Sequence, residues 1–241
     1  MNAPPILTGI HFARDWGLRR PSVYRYMARE YVDAFFDTGS LRIGSFDQFS
    51  KHSDEARLDG QEGRGMVFHQ NNNGEGTSVS GYMIYGVSSY VFCGSSFFSE
   101  EIAELFGADS GFRINDTVAF ADTIAHRISG FRGGCEGPCV YVPTRTVLRD
   151  TGPVGIDDFQ DDGERDKVSF NKMMGFLSGM AGDDLLFLKD AKYSSQCEYR
   201  FIWHTHDPKV SGFLDLKVPE ARQFCTRFEE LEIVRHRLHH P

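Results

Sequence analysis

The chain has 241 residues, which is enough for one large domain or two small ones and ample to bury a core. Its 40% hydrophobic and 25% charged residues are typical of a globular protein, and its net charge of -8 argues against a broad non-specific grip on nucleic acid, while a local basic groove stays compatible with it. No run is apolar enough to span a bilayer and residues 1–5 do not resemble a signal peptide, so we expect a cytoplasmic protein that does not contact membranes.

The five cysteines agree with a cytoplasmic location. Their odd number and irregular spacing are typical of reduced thiols rather than of a disulfide framework. Cys135 and Cys139 flank a short Glu-Gly-Pro segment, but a zinc site would need two further ligands, and the clustered candidates His236, His239 and His240 lie on the C-terminal tail. We therefore expect no metal at these cysteines.

The first regular pattern predicts a strand over residues 23–27. Its alternation places Arg25 on one face and Tyr24 and Tyr26 on the other. A helix over residues 28–36 should follow and end at Gly39, a residue suited to a helix C-terminus. The chain thus begins with a compact strand, helix and strand unit.

Further strands and helices follow from the same periodicities. The predicted strands after the first cover residues 41–45, 66–69, 81–85, 90–96, 112–114, 139–142 and 210–217, with the pair 66–69 and 81–85 forming a hairpin. The other predicted helices cover 100–106 with Ser99 as its cap, a segment opened by Asp116 or Thr117, and 168–181. We predict a single α+β domain over residues 1–241, with mainly antiparallel mixed sheets, flanking helices, and exposed loops at about 48–65 and 150–167.

The segment 48–65 is charged and lacks periodicity. A solvated loop is the ordinary interpretation of such a stretch. The sharper alternative is metal coordination by Asp54, Asp59 and Glu62, with His52 nearby, in a metal-dependent hydrolase or nuclease. Arginines such as Arg57 could equally neutralise those carboxylates.

Residues 196–203 alternate in polarity and predict a half-buried strand. Gln196, Glu198 and Arg200 fall on the polar side, and Cys197, Tyr199, Phe201 and Trp203 on the apolar side. Such a strand can present a carboxylate and an amide to a ligand. The competing interpretation of Glu198 is a surface ion pair with Arg200 or Lys192.

Three groups of polar residues follow one another along the chain. Arg25 lies on an early strand, Ser95 and Ser96 end a middle strand, and Gln196-x-Glu198 lies on a late strand. This order resembles the ADP-ribosyltransferases of the arginine, serine, glutamate class, whose motifs run Arg, Ser-Thr-Ser, then Gln-x-Glu or Glu-x-Glu. The Cys-Gly-Ser-Ser run here departs from Ser-Thr-Ser. Tyr24 and Tyr26 beside Arg25 also fit the histidine, tyrosine, glutamate class, in which case the first NAD-contacting residue would be one of these tyrosines instead of Arg25. The chain is also similar to a group of uncharacterised bacterial proteins that begin with a Tyr-x-Tyr strand and end with a Glu-Tyr-Arg strand.

The resemblance implies a split-sheet fold that uses NAD as a substrate and needs no cofactor. Cleaving the nicotinamide bond develops positive charge on the ribose, which Glu198 would stabilise while Gln196 orients the acceptor. The implied NAD-binding residues are Arg25, with Arg42 or Arg57 as substitutes, and Tyr24, Tyr26, Ser45, Ser95 and Ser96. The acceptor would be a protein or nucleic acid, and the role that of a toxin or antiphage effector with an antitoxin or immunity partner. A non-catalytic partner-binding domain, such as an immunity or antitoxin protein, is the third hypothesis.

Overall fold

A computed structural model describes residues 21–49, 59–69, 78–150, 152–161 and 164–229, with the backbone alone at 164–166. The strands are β1 (Val23–Met27), β2 (Ser40–Ser45), β3 (Arg64–His69), β4 (Val79–Ile84), β5 (Ser89–Ser95), β6 (Ser110–Ile114), β7 (Phe131–Pro138), β8 (Val140–Val142), β9 (Thr146–Arg149), β10 (Gln160–Asp161), β11 (Glu164–Val168), β12 (Leu188–Asp190), β13 (Glu198–Thr205), β14 (Phe213–Lys217) and β15 (Cys225–Arg227). The α-helices are α1 (Arg29–Thr38), α2 (Phe46–Phe49), α3 (Glu100–Leu105), α4 (Thr117–Ala125) and α5 (Phe170–Ala181). The predicted α+β class is confirmed. Within the described residues, no helix has both the length and the apolar character needed to cross a membrane.

The chain divides into two compact units. The first draws its described residues from Met1–Gly60, Gly86–Cys139 and Lys192–Pro241, and the second consists of Gln61–Tyr85 and Val140–Ala191. That the whole chain acts as one domain stays a prediction.

The first unit contains an antiparallel sheet in the order β14-β2-β5-β1-β6-β15, and β13 joins it between β5 and β7. Strand β5 is the branch point of this sheet. It pairs with β13 along its length, with β2 near its beginning through Val91 and Gly44, and with β1 at its end through Ser95 and Tyr24. Three strands from distant parts of the sequence therefore lie side by side at the end of β5.

The two faces of this sheet differ sharply in chemistry. One face, called here the helix face, carries Val23, Phe92 and Phe201 and packs against α1 and α4 through residues such as Phe35 and Phe120. The indole N–H of Trp203 donates to the Ala121 carbonyl at 3.0 Å and ties β13 to α4. Paired residues on neighbouring strands point to the same side. The opposite face, called here the polar face, therefore carries Tyr24, Ser95 and Glu198.

Local signals set the helix ends, as predicted. Gly39 ends α1 with φ of 73°, and a Cβ added there would lie 2.3 Å from the Pro219 backbone nitrogen. Ser99 and Asp116 accept hydrogen bonds from backbone N–H groups three residues later and cap α3 and α4. Both predicted caps are confirmed.

In the second unit, β3 pairs antiparallel with β4 and parallel with β9. The predicted hairpin is thereby confirmed. Helix α5 contributes Leu177 and Ala181 to an apolar cluster with Val67 and Val147. Strands β8 and β12 form a short parallel pair, and β10 and β11 an antiparallel pair.

The two predicted exposed loops contain more structure than the composition indicates. Asp59 and Glu62 are buried in the first of them, which also includes part of β3. In the second, Val154 and Phe159 are buried, and a 3₁₀ turn covers Ile156–Phe159. Within the described residues, neither segment is exposed throughout: two carboxylates are buried in the first, and apolar side chains are buried in the second.

Candidate functional site

The structure confirms a strand at the predicted late position but begins it two residues further along. Residues Ala191–Gln196 form a 3₁₀ helix, Cys197 adopts a positive φ of 45°, and β13 begins at Glu198. Gln196 therefore ends a helical turn instead of opening the strand. A positive φ is rare for cysteine, so the chain makes a constrained turn immediately before Glu198.

The strand is buried on both faces, so the prediction of a half-buried strand is wrong. The side chains of Arg200 and Glu198 are 1% and 9% exposed, although both lie on the polar face. The reason is position: β13 lies between β5 and β7, where a strand has no open edge. Its polar side chains satisfy one another instead of facing water.

Glu198 is held by a close ion pair. The Arg200 Nε donates to Glu198 Oε1 at 2.6 Å, and the Cys139 thiol donates to the same oxygen at 3.6 Å. The Cys139 backbone N–H also donates to the Glu198 carbonyl at 2.8 Å. The ion pair with Arg200, which was the competing interpretation of Glu198, is present, but it is buried rather than on the surface.

Tyr24, Ser95 and Glu198 form one line across three strands. Ser95 pairs with Tyr24 of β1 on one side and with Glu198 of β13 on the other. The buried Ser95 hydroxyl accepts a hydrogen bond from the Phe97 N–H at 3.2 Å, which leaves its own proton free to donate. Ser96 donates its backbone N–H to the Cys197 carbonyl at 2.8 Å and so joins the end of β5 to the turn before Glu198.

Arg25 lies on the other side of the sheet. It neighbours Tyr24 in β1, so alternation points its side chain to the helix face. Its guanidinium lies 4.7 Å from the centroid of the Phe92 ring, and its Nη1 donates to the Cys93 carbonyl at 2.6 Å. This bond supports β5 where the strand changes partner from β2 to β1. The structure does not bring Arg25 and Glu198 together.

The two proposed substitutes for Arg25 are not placed beside Glu198 either. Arg42 is exposed on β2 and bonds both carboxylate oxygens of Asp215, at 2.6 and 2.9 Å, which raises the pKa of Arg42. Arg57 lies outside the described residues.

Tyr26 and Ser45 have local structural contacts. The Tyr26 hydroxyl donates to the Phe97 carbonyl at 2.9 Å and accepts from the Ser99 N–H at 2.7 Å, and burial raises its pKa. The Ser45 hydroxyl accepts from the Gln48 N–H at 3.3 Å at the beginning of α2. Of the predicted tyrosines and serines, Tyr24 and Ser95 are therefore the ones aligned with Glu198.

The predicted metal cluster is described only in part. His52 and Asp54 lie outside the described residues. Asp59 and Glu62 are both buried, in contrast to the exposed carboxylates expected from the sequence.

A second polar group, on the helix face, was not predicted. The Thr117 hydroxyl donates to Glu136 at 2.7 Å, and Tyr199 makes hydrogen bonds with both residues. Burial, followed by the nearby Glu136 carboxylate, raises the pKa of Tyr199. A threonine at the first position of α4 is an ordinary sequence feature and does not by itself indicate a cluster. Glu136 and Tyr199 come together through the pairing of β7 with β13, and local sequence patterns do not predict that pairing.

The site is thus a carboxylate fixed by a guanidinium, beside a serine hydroxyl and in line with a tyrosine ring. Such a carboxylate can stabilise a developing positive charge or accept hydroxyl protons from a ligand. Comparison of the chain with protein-family models, with curated proteins and with solved structures finds no match.

Proposed function

We propose that the protein is an NAD-dependent ADP-ribosyltransferase with Glu198 as its catalytic carboxylate. The observation that carries the proposal is the alignment of Tyr24, Ser95 and Glu198 across β1, β5 and β13. These are the three strands whose order in the sequence resembles the transferases. A salt bridge between Glu198 and Arg200 alone gives no reason for a serine and a tyrosine to continue the same line.

The proposed roles follow from the chemistry of the reaction. Departure of nicotinamide leaves oxocarbenium character on the ribose, and the Glu198 carboxylate stabilises that charge. Arg200 is a positioning residue, since it holds Glu198 Oε1 at 2.6 Å. Ser95 donates its hydroxyl proton to the substrate, and the Tyr24 ring offers a stacking surface.

Two of the expected assignments change within this proposal. No NAD contact is assigned to Arg25, because its guanidinium lies on the helix face against Phe92. Gln196 keeps its proposed role toward the acceptor, now from the last position of a 3₁₀ helix two residues before Glu198. The resemblance is the basis for proposing a macromolecular acceptor, a toxin or antiphage role, and an antitoxin or immunity partner. Composition is the basis for proposing a cytoplasmic location.

The test measures nicotinamide release and transfer of labelled ADP-ribose from NAD to protein and nucleic acid. We expect Glu198→Gln to reduce both at least about a hundredfold, the scale of removing an electrostatic stabiliser from a transition state. The matched control is Glu136→Gln, which changes a glutamate of β7 on the helix face of the same sheet and should keep full activity. Circular dichroism of each variant establishes that it is folded.

Unchanged turnover in folded Glu198→Gln protein would overturn the proposal. Activity that requires Mg²⁺ or Mn²⁺ and disappears with a chelator would support the hydrolase or nuclease hypothesis instead. A thermal shift screen adds an independent measurement, because NAD should raise the melting temperature by mass action whereas a non-catalytic binding domain should not respond.

A further inference from the structure

The residue directly before Glu198 has a strained backbone. Cys197 has a φ of 45°, and in the part of the chain that the structure describes it is the one residue other than glycine with a positive φ. Glycine adopts this left-handed region freely and asparagine tolerates it, whereas other residues adopt it at a cost in free energy. Such a conformation persists where the surrounding structure imposes it, and the residues that keep it are concentrated at functional sites.

Hydrogen bonds on both sides of Cys197 impose its conformation. The Cys197 N–H donates to the Ser194 carbonyl at 3.2 Å, and the Cys197 carbonyl accepts from the Ser96 N–H at 2.8 Å, at the end of β5. One residue later, the Glu198 carbonyl accepts from the Cys139 N–H at 2.8 Å. The chain therefore passes from a 3₁₀ helix to β13 through a single residue whose two neighbouring peptide groups are both held.

Connecting the two elements does not by itself require a cysteine at this position. The Cys197 sulfur lies 3.6 Å from the Ser194 carbonyl oxygen, and a thiol is a weak donor. Glycine or asparagine would make the same turn with less strain. A residue that carries a Cβ, however, restricts the backbone more than glycine does, and so gives firmer support to the residue that follows.

We infer that Cys197 is a positioning residue whose constrained backbone fixes the direction in which Glu198 leaves the turn. The inference rests on the proposed function, in which the Glu198 carboxylate must lie against the charge that develops on the ribose. A small misplacement of such a group costs a large part of the rate. Arg200 holds the carboxylate end of the Glu198 side chain at 2.6 Å, and Cys197 holds the backbone from which that side chain starts.

Urea unfolding of three variants measures the strain. Cys197→Ala removes the thiol and keeps the Cβ, so it is the matched reference. Cys197→Asn should raise the urea midpoint above this reference by about 0.3 M, because asparagine tolerates the left-handed region. Cys197→Val should lower the midpoint, because a β-branched residue fits that region poorly. A midpoint of Cys197→Asn no higher than that of Cys197→Ala would overturn the inference.

Cys197→Gly tests the positioning, because it removes the strain and the restriction together. It should lower the kcat of nicotinamide release about tenfold and leave the KM for NAD unchanged, whereas Cys197→Ala and Cys197→Asn should keep the wild-type kcat. Hydrogen exchange gives a measurement that does not depend on activity. The amides of Ser96 and Cys139, which bond the carbonyls of residues 197 and 198, should exchange about ten times faster in Cys197→Gly than in Cys197→Asn.

The outcomes separate the inference from the proposed function. A wild-type kcat in Cys197→Gly, or exchange as slow as in Cys197→Asn, would show that the turn only connects two elements and would overturn the inference. A loss of kcat in Cys197→Ala would overturn it as well, because the sulfur and not the backbone would then be responsible. Absence of nicotinamide release from the wild type would overturn the proposed function and the inference with it, before any variant is compared.

Discussion

The buried ion pair between Glu198 and Arg200 makes a prediction about stability that does not depend on the proposed activity. Glu198→Gln keeps the shape of the side chain but removes the negative charge that lies 2.6 Å from the Arg200 Nε. Both side chains are at least nine-tenths buried, so water compensates the guanidinium poorly. Removing one partner of a buried pair typically costs about 3–5 kcal/mol, a large part of the roughly 5–15 kcal/mol that stabilises a domain.

Equilibrium unfolding in urea, followed by tryptophan fluorescence, measures this cost, since Trp203 lies in the same strand. With a denaturant slope of about 3 kcal/mol per molar, the midpoint of Glu198→Gln should fall by roughly 1–1.7 M. The double variant Glu198→Gln, Arg200→Met removes both charges and should recover most of the loss, because apolar replacements of buried pairs are often neutral. A loss below about 1 kcal/mol, or a double variant less stable than the single one, would refute this reasoning.

Three further substitutions test the described contacts. Arg25→Met should cost about 1–3 kcal/mol in urea unfolding, since it removes the bond to the Cys93 carbonyl, but NAD binding by calorimetry should be unchanged. Loss of NAD binding in that variant would indicate that Arg25 contributes to NAD binding after all. Tyr199 has a raised pKa in the folded state, so its contribution to stability is complete below about pH 10, where the unfolded phenol ionises, and is lost as pH rises further. The melting temperature of Tyr199→Phe should therefore fall less than that of the wild type when the pH is raised from about 9 to about 11, a range that includes the reference pKa of tyrosine. An identical fall in both proteins would contradict the assignment. Gly39→Ala should lower the melting temperature by several degrees, because alanine is strained at φ of 73° and its Cβ would meet the Pro219 backbone. An unaltered melting temperature would show that this close approach relaxes easily.

Elements defined by local signals were predictable from the sequence. Strand β1 covers Val23–Met27 as predicted, and Gly39, Ser99 and Asp116 end or begin the predicted helices. Each of these features depends on residues within one turn or one strand. By contrast β7, with three glycines and a proline, has no alternating pattern, and its extended conformation is imposed by pairing with β13.

The composition of the candidate site was likewise not predictable from the sequence, because it depends on the register between strands. The alternation in β1 correctly separated Arg25 from Tyr24, but it carries no information on which of them shares a face with Glu198. That choice depends on the pairing of Tyr24 with Ser95 and of Ser95 with Glu198, contacts between residues far apart in sequence. Because the side-chain period of a strand is two, a shift of one residue would have brought Arg25 to the polar face instead.

Strand β13 is largely buried, yet it retains charged residues on one of its faces. Its side chains on the helix face, Tyr199, Phe201 and Trp203, belong to the main apolar cluster of the first unit. Those on the polar face include Glu198, Arg200 and His204, and buried polar groups of this kind destabilise a fold unless they are paired. Aliphatic residues at the same positions would satisfy packing at least as well. Under the proposed function, selection on chemistry should therefore act on the polar residues around Glu198, and selection on stability on the aromatic residues of the opposite face.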